Sequence, residues 1–296
     1  MTGDFRVTLL GTGVPTPRPD RFGPSTLVEA GDQKLLIDAG RGASIRLYQI
    51  GVPLGRIDAL LLTHYHSDHT SGVPDVWLTG WLASHYARRT RPFRVIGPVG
   101  AKTLMSNLEK AYAADIAIRT ADEKLPPAGI AVEVEEFDAD GVVYQRSGVT
   151  VIAFEVDHGD VIKPAYGYRI EYGGRSAVIS GDTRFNENVI KHGAGADLLV
   201  HEVAAARPEM MQVSHVQRIM AHHTTAREAG TVFARSRPKL AAFTHFVLLG
   251  SDRIQPPTLD HVLAETRQTY DGPLALGEDL MTFEIGETVT VRRHTA

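Results

Sequence analysis

The sequence predicts an α/β protein in which two mixed β-sheets pack face to face with helices outside, an αββα sandwich. Apolar runs of strand length recur behind turn residues in both halves of the chain. Segments with the apolar spacing of helices lie between or beside these runs. We expect a single domain over residues 1–296, because a chain of this length and mixed composition can bury a sizeable core.

Four apolar runs predict strands in the first part of the chain: residues 5–11, 25–30, 33–40 and 58–64. The Gly31-Asp32 pair between the second and third runs predicts a hairpin turn. Apolar spacing predicts one helix over 43–50 and another over 70–89. A strand over 94–98 and a helix over 101–114 follow.

The rest of the chain predicts mainly strands. Four apolar segments indicate an antiparallel meander: residues 131–137, 141–159, 165–183 and 196–203. Residues 122–129 contain two prolines and predict a surface loop. Beyond Thr224, two helical stretches flank a buried strand over 239–246, and a hairpin around Gly286 closes the chain. A dinucleotide-binding fold is disfavoured, because Gly11-x-Gly13 is followed by Thr16 where that fingerprint has a third glycine.

Composition narrows the function classes. The formal net charge is −4, and lysines and arginines form no long run. The sequence therefore lacks the basic pattern expected of a protein that binds nucleic acid or an anionic membrane. This composition does not exclude a local basic groove. The chain contains no cysteine, so any metal must be held by nitrogen and oxygen atoms. The first residues, MTGDFRVTLLGTG, match neither a signal peptide nor a membrane span, and we expect a cytoplasmic protein without a membrane partner.

The segment THYHSDH, which follows a buried leucine run, predicts a metal site. Imidazole and carboxylate are ligands of Zn²⁺ and similar cations. Alternate residues of an extended segment point the same way, so His64 and His66 can converge on one metal ion. Asp68 and His69, beyond the turn, can face a second ion. We expect two divalent cations. Zinc is the expected metal, and manganese and iron are alternatives because sites of nitrogen and oxygen ligands accept all three.

Two coordination shells need more ligands than one motif supplies. Candidates stand at the ends of three later strands: His158, Asp182 and His245. Each has an alternative interpretation from the residues alone. Asp182 could cap the following turn, and Asp157 could replace His158 as the ligand.

The ordered motifs THYHSDH, VDHGDVIKPAYGYRI, SGDT, DLLVHE, HTTAREAG and FTH resemble the metallo-β-lactamase superfamily, in particular its ribonuclease Z and arylsulfatase-like branch. The resemblance extends from LLGTGVPTP near the start to THFVLLG at 244–250, and so covers most of the chain. It implies one metal held by His64, His66 and His158. It implies a second metal held by Asp68, His69 and His245, with Asp182 bridging the two.

The same resemblance implies a pair of residues for proton transfer. Glu202 and His223 match the pair that assists the leaving group in the ribonuclease Z branch, while adjacent His222 could take the role of His223 if the loop is shifted by one residue. Two cations that share a water lower its pKa from about 15.7 towards neutrality and so supply a bridging hydroxide as nucleophile. Asp68 would orient that hydroxide and accept its proton.

The substrate class follows less directly. Ribonuclease Z enzymes usually carry a long basic arm between the residues that match His158 and Asp182, and here a short connection stands there. The sequence therefore favours hydrolysis of a small phosphodiester or sulfate ester. The alternatives are a ribonuclease Z-like endonuclease that processes the 3′ end of tRNA, with nucleic acid as partner, and a lactonase. The arylsulfatase-like branch fits the outline without an arm, but a periplasmic sulfatase would need an export signal.

Other classes are less well supported. A flavodiiron-type reductase generally has glutamate where His66 stands, and a binding-only relative would have lost ligands. Relatives are commonly dimeric, so a homodimer is expected. Trp77 and Trp81 are expected in the core or a dimer interface, with the substrate mouth as the alternative. Loops 16–25 and 246–257 are candidates for the pocket rim, with ordinary surface connections as the alternative.

Overall fold

The computed structural model describes residues 4–294 and shows two mixed β-sheets. The first sheet has eight strands in the order β15-β14-β1-β2-β3-β4-β5-β6. Its strands are β1 (Phe5–Gly11), β2 (Ser25–Ala30), β3 (Gln33–Ile37), β4 (Ala59–Leu61), β5 (Phe93–Pro98), β6 (Val132–Phe137), β14 (Met281–Ile285) and β15 (Val289–Arg292). β3 to β6 pair in parallel, whereas the remaining neighbours are antiparallel.

The second sheet has seven strands in the order β13-β12-β11-β10-β9-β8-β7. Its strands are β7 (Gly141–Arg146), β8 (Val149–Glu155), β9 (Tyr166–Tyr172), β10 (Arg175–Ile179), β11 (Leu198–Ala206), β12 (Leu240–Leu249) and β13 (Leu274–Leu276). β7 to β10 are antiparallel, and β10 to β13 are parallel. Both sheets therefore combine an antiparallel half with a parallel half, as the predicted mixed architecture requires.

Residues 4–294 contain ten α-helices. They are α1 (Ala43–Gln49), α2 (Ser67–Thr70), α3 (Val73–Thr79), α4 (Ala101–Ala111), α5 (Ala113–Asp122), α6 (Pro127–Ile130), α7 (Glu187–Gly193), α8 (Ser214–Met220), α9 (Ala226–Ser236) and α10 (Leu259–Thr266). Phe5, Tyr168 and Phe283 belong to the core between the two sheets. One further core lies under the helices of each sheet. The αββα sandwich predicted from the sequence is confirmed.

The predicted meander is wrong at both ends. β6 joins the first sheet, in parallel with β5, and β11 lies parallel to β10, so only β7 to β10 form an antiparallel meander. Alternation of apolar residues along a strand identifies which face is buried but does not specify the neighbouring strand. The strand order therefore depends on contacts between segments that are distant in sequence.

The predicted helix over 70–89 is also wrong. Helices α2 and α3 are separate, and a series of turns follows Gly80. Pro74 lies in the first turn of α3, where its missing N–H costs nothing, and so starts a new helix. The predicted surface loop at 122–129 is partly buried, because it includes buried Leu125 and the start of α6. Over residues 4–294, no helix has both the length and the apolar composition needed to cross a bilayer.

Arg89 fixes this irregular region. Its side chain is buried, and its guanidinium donates from Nε to the Gly129 carbonyl over 2.9 Å and from Nη2 to the Trp77 carbonyl. The guanidinium also lies over the Phe93 ring, 4.8 Å from the centroid. Burial lowers the pKa of Arg89 to about 10. One cation thus joins the last turn of α3 to α6 and β5.

We expect Arg89→Ala to lower the free energy of unfolding by about 3 kcal/mol, because two buried carbonyls lose their donor and a cavity forms. Urea denaturation measures the change. Arg56→Ala, which removes an exposed arginine nearby, is the control and should change the value by less than about 0.5 kcal/mol. Equal stabilities of the two variants would contradict the role of Arg89.

Candidate metal centre

The first cluster of the site forms where β4 ends. His64 and His66 follow this strand in extended backbone, and His66 Nδ1 lies 3.1 Å from His64 Nε2. His158 follows β8 of the second sheet, and its Nε2 lies 3.2 Å from His66 Nδ1. These three imidazoles and Asp182 each offer one ligand atom within a mutual distance of 4.8 Å. Three of the four side chains are buried, and His66 is exposed.

The second cluster contains Asp68, His69 and His245. Helix α2 carries the first two, and the Asp68 Oδ2 atom lies 3.6 Å from His69 Nε2 and 3.3 Å from His245 Nε2. His245 is the extra residue of a β-bulge: Thr244 pairs with Glu202 of β11, Phe246 pairs with the next residue, and His245 itself has φ 44°. The bulge re-aims this histidine towards the site.

Asp182 lies between the two clusters. Its Oδ2 atom is 3.9 Å from His64 Nε2 and 3.7 Å from His158 Nε2 on one side. On the other side it is 3.3 Å from His69 Nε2 and 3.2 Å from His245 Nε2. The structure therefore brings together all seven side chains that the sequence nominated as ligands, with one carboxylate oxygen shared by both groups.

The chemistry of this donor set fits divalent cations. Burial, with further contributions from neighbouring histidines, lowers the pKa of His64 well below its ordinary value, and burial lowers that of His158 to about 4. Both are therefore neutral imidazoles, the form that binds metal ions. Burial alone would raise the pKa of Asp182, but His245 and His69 hold it well below the ordinary range. His69 Nε2 is buried and makes no hydrogen bond within residues 4–294.

Asp38 orients the ligands from behind, and the sequence reasoning missed it. Its carboxylate accepts hydrogen bonds from the Thr63 amide (2.8 Å) and hydroxyl (2.7 Å), and it lies 2.7 Å from His69 Nδ1. The Thr63 hydroxyl in turn lies 3.0 Å from His64 Nδ1. Burial opposes protonation of His69, but the carboxylates of Asp182 and Asp38 raise its pKa well above the ordinary value. A polar residue directly after the apolar run of β3 was the available signal.

Buried Glu202 and half-buried His223 form a pair beside the clusters. His223 Nδ1 lies 2.9 Å from Glu202 Oε1, which also accepts from the Thr183 amide (3.1 Å) and the Thr224 amide (3.3 Å). Burial would lower the pKa of His223, but the Glu202 carboxylate raises it to about 9. His222 occupies a different place: its carbonyl lies 3.0 Å from His158 Nδ1.

The remaining alternatives from the sequence lie outside the clusters. Asp157 pairs with Arg184 over 2.8 Å. Trp77 and Trp81 are buried, and their indole N–H groups donate to the carbonyls of Ile130 and Pro126. Trp77 therefore packs in the core under the first sheet, and neither tryptophan lines a substrate mouth.

Comparisons with known proteins agree with this architecture. Residues 33–246 match the family described as "Beta-lactamase superfamily domain". A curated protein named Ribonuclease Z from Mycolicibacterium gilvum is 39% identical over 287 residues, which cover 95% of this chain and 96% of that protein. A Ribonuclease Z from Mycobacterium marinum is 38% identical over 290 residues, covering 95% and 99%.

Two solved structures share the fold at low sequence identity. The metallo-β-lactamase fold protein YhfI from Bacillus subtilis has a TM-score of 0.70 at 21% identity and covers 95% of this chain and 99% of its own. The short form of human tRNase Z has a TM-score of 0.69 at 22% identity, covering 94% and 98%.

The fold and these similarities together define a metal-dependent hydrolase that acts on ester bonds. Its His/Asp cluster is compatible with divalent metal ions. The chain belongs to the β-lactamase superfamily, and the relatives described above that share more than a third of its sequence carry the name Ribonuclease Z.

We expect Asp38→Ala to lower the free energy of unfolding of chelator-treated protein by about 3 kcal/mol, because the buried Thr63 donors lose their acceptor. Alanine is also disfavoured at the Asp38 backbone angle, φ 57°, which asparagine tolerates. Asp38→Asn is therefore the matched variant and should be less destabilised. Urea denaturation compares them, and a wild-type midpoint for Asp38→Ala would refute the role.

Proposed function

We propose that the two clusters hold two divalent cations. His64, His66 and His158 would hold one ion, Asp68, His69 and His245 the other, and Asp182 would be shared. The shared position of Asp182 Oδ2, within 3.9 Å of four imidazole nitrogens, supports this assignment. We propose zinc as the metal, because imidazole nitrogen and carboxylate oxygen suit it, with manganese and iron as the alternatives.

The reaction that we propose is hydrolysis of an RNA phosphodiester, the ribonuclease Z-type cleavage at the 3′ end of precursor tRNA. The observation that carries this proposal is the full-length similarity, at 36–39% identity, to curated proteins named Ribonuclease Z. This similarity favours the tRNA alternative over the small-ester substrate that the sequence alone favoured. The pair of Glu202 and His223 agrees with it.

The missing arm does not separate this chain from those relatives. Residues between His158 and Asp182 form only a loop, β9, a tight turn and β10. The matched relatives are covered over 96–99% of their own length, so they too leave little room for a long extra segment. A short connection is therefore compatible with the activity that their name states.

In this mechanism the cations, when bound, would polarise the phosphoryl group and activate water. Asp68 lies in the second cluster and would orient the attacking water and accept its proton at a carboxylate oxygen. His223 directs Nδ1 to Glu202, which leaves Nε2 to donate a proton to the departing oxygen. Glu202 is held by two backbone amides, so it keeps His223 in one orientation.

A second candidate is hydrolysis of a small phosphodiester or sulfate ester. The absence of an arm and the formal net charge of −4 favour it, since both reduce the long-range attraction for RNA. The same metal ligands would also suit hydrolysis of a lactone. The assays described below would detect this activity.

We expect about two equivalents of metal per chain in protein prepared without chelators, measured by elemental analysis. His64→Ala and His245→Ala should each lose metal, because each removes one imidazole from a different cluster. His85→Ala, which removes an exposed histidine outside both clusters, is the control and should keep the wild-type content. Metal-free wild-type protein from a metal-supplemented preparation would contradict the assignment.

We expect the metal-loaded protein to cleave precursor tRNA faster than bis-aryl phosphate, aryl sulfate or a lactone. His223→Ala should retain its metal and reduce turnover by about 10²- to 10⁴-fold, the usual contribution of a general acid. Product analysis on gels and metal analysis of the same samples give both readouts. If only the small esters are hydrolysed, the second candidate replaces the first, and loss of metal in His223→Ala would contradict the separate roles.

A further inference from the structure

A cavity of about 500 Å³ lies beside the candidate metal centre, between the loop at 14–21 and helix α1. This volume is within the range of small-molecule binding sites, about 300–1,000 Å³. The residues described so far in the metal centre do not line it. The cavity is therefore distinct from the metal centre and has no role in the mechanism proposed above.

The base of this loop touches the second cluster from two sides. The Gly13 amide donates to the Phe22 carbonyl over 2.8 Å and closes the loop. The Phe246 amide, directly after His245, donates to the Thr12 carbonyl over 3.2 Å. On the other side, a Cβ atom on Gly23 would lie 3.1 Å from the Asp68 carbonyl oxygen. The cavity therefore borders the Asp68 and His245 side of the metal centre.

One buried carboxylate holds the loop in place. Asp279 accepts hydrogen bonds from the Thr12 amide (2.9 Å) and the Phe22 amide (2.7 Å). Arg46 of α1 pairs with the same carboxylate over 2.8 Å, and its guanidinium lies 3.9 Å from the centroid of the Phe22 ring. The loop and α1 are thus joined at their base, so the cavity between them is preformed, which reduces the cost of binding.

The lining combines an arginine that has no ion pair within the described part of the chain, an apolar wall and one carboxylate, that of Asp75, which accepts hydrogen bonds from two neighbouring hydroxyl groups. Arg41 is exposed, and its hydrogen bond is to the Pro15 carbonyl at 3.4 Å, whereas Arg18 is paired with Asp20 at 2.6 Å. Within residues 4–294 the salt bridges include none to Arg41. Ile45 is 54% exposed and faces the cavity together with Pro17. A guanidinium beside an apolar surface suits a ligand with both a phosphate group and a flat ring.

We propose that this cavity binds one nucleotide of the RNA strand close to the phosphodiester that is cleaved. Arg41 takes the phosphate, and the base packs against Ile45 and Pro17. The inference rests on the proposed function, because it assigns the nucleotide to an RNA substrate. It also accounts for how a chain with net charge −4 and no arm retains RNA at the site.

The test measures binding of a fluorescent five-nucleotide RNA to the full-length, metal-loaded protein by anisotropy. All proteins carry His223→Ala, so that cleavage of the probe is slow. We expect Arg41→Gln to weaken binding about 10-fold and Ile45→Ala to weaken it measurably, since a charge-assisted hydrogen bond and an apolar contact are lost. Arg146→Gln removes the same charge from exposed β7, outside the cavity lining, and should bind like the parent.

Two competitors identify the ligand. Adenosine monophosphate should displace the RNA from the parent but much less effectively from Arg41→Gln, and inorganic phosphate should displace it weakly. Equal losses in Arg41→Gln and Arg146→Gln, or no binding of the RNA to the parent, would overturn the proposal. The proposal would also be overturned if the protein bound adenosine monophosphate but did not bind the RNA. Arg41-dependent RNA binding by a protein that leaves precursor tRNA uncut would refute the proposed function alone.

Discussion

The site depends on the position of one buried carboxylate, Asp182, among four imidazole nitrogens at 3.2–3.9 Å. Polar groups brought together in a buried place are costly unless each is bonded or binds an ion. Here two separate sheets hold the ligands in place. The first sheet supplies His64 beyond β4, and the second supplies Asp182 beyond β10 and His245 within β12. Packing of the two sheets through their apolar faces therefore sets the geometry of the cluster.

Much of this arrangement could be predicted from the sequence because it is local. Apolar runs ended by histidine or aspartate marked the strand ends, and His-x-His-x-Asp-His marked two clusters on one turn. The assignment of His158, Asp182 and His245 to particular metals came from the resemblance, and the structure brings the same side chains together. Their role as ligands, the single domain, the homodimer and the cytoplasmic location stay predictions.

What the sequence did not predict depends on contacts between distant segments. Nothing local to β6 indicates that it joins the first sheet, since its pattern of half-buried and exposed residues fits either sheet edge. The end of α3 near Gly80 depends on buried Arg89, whose partners Trp77, Gly129 and Phe93 lie on three other segments. Asp38 was missed for the same reason. Its importance lies in the partners Thr63 and His69, which are 25 and 31 residues away.

The bulge at His245 also changes the face that the rest of β12 presents. Before the bulge, Ala242 faces the core between the sheets and Phe243 faces the helices. After it, Phe246 faces the helices as well, although three positions separate the two phenylalanines and strict alternation would place them on opposite faces. A histidine at which the apolar alternation of a strand changes phase is thus a pattern that can be recognised in a sequence. It can be sought in chains of this superfamily before any fold is determined.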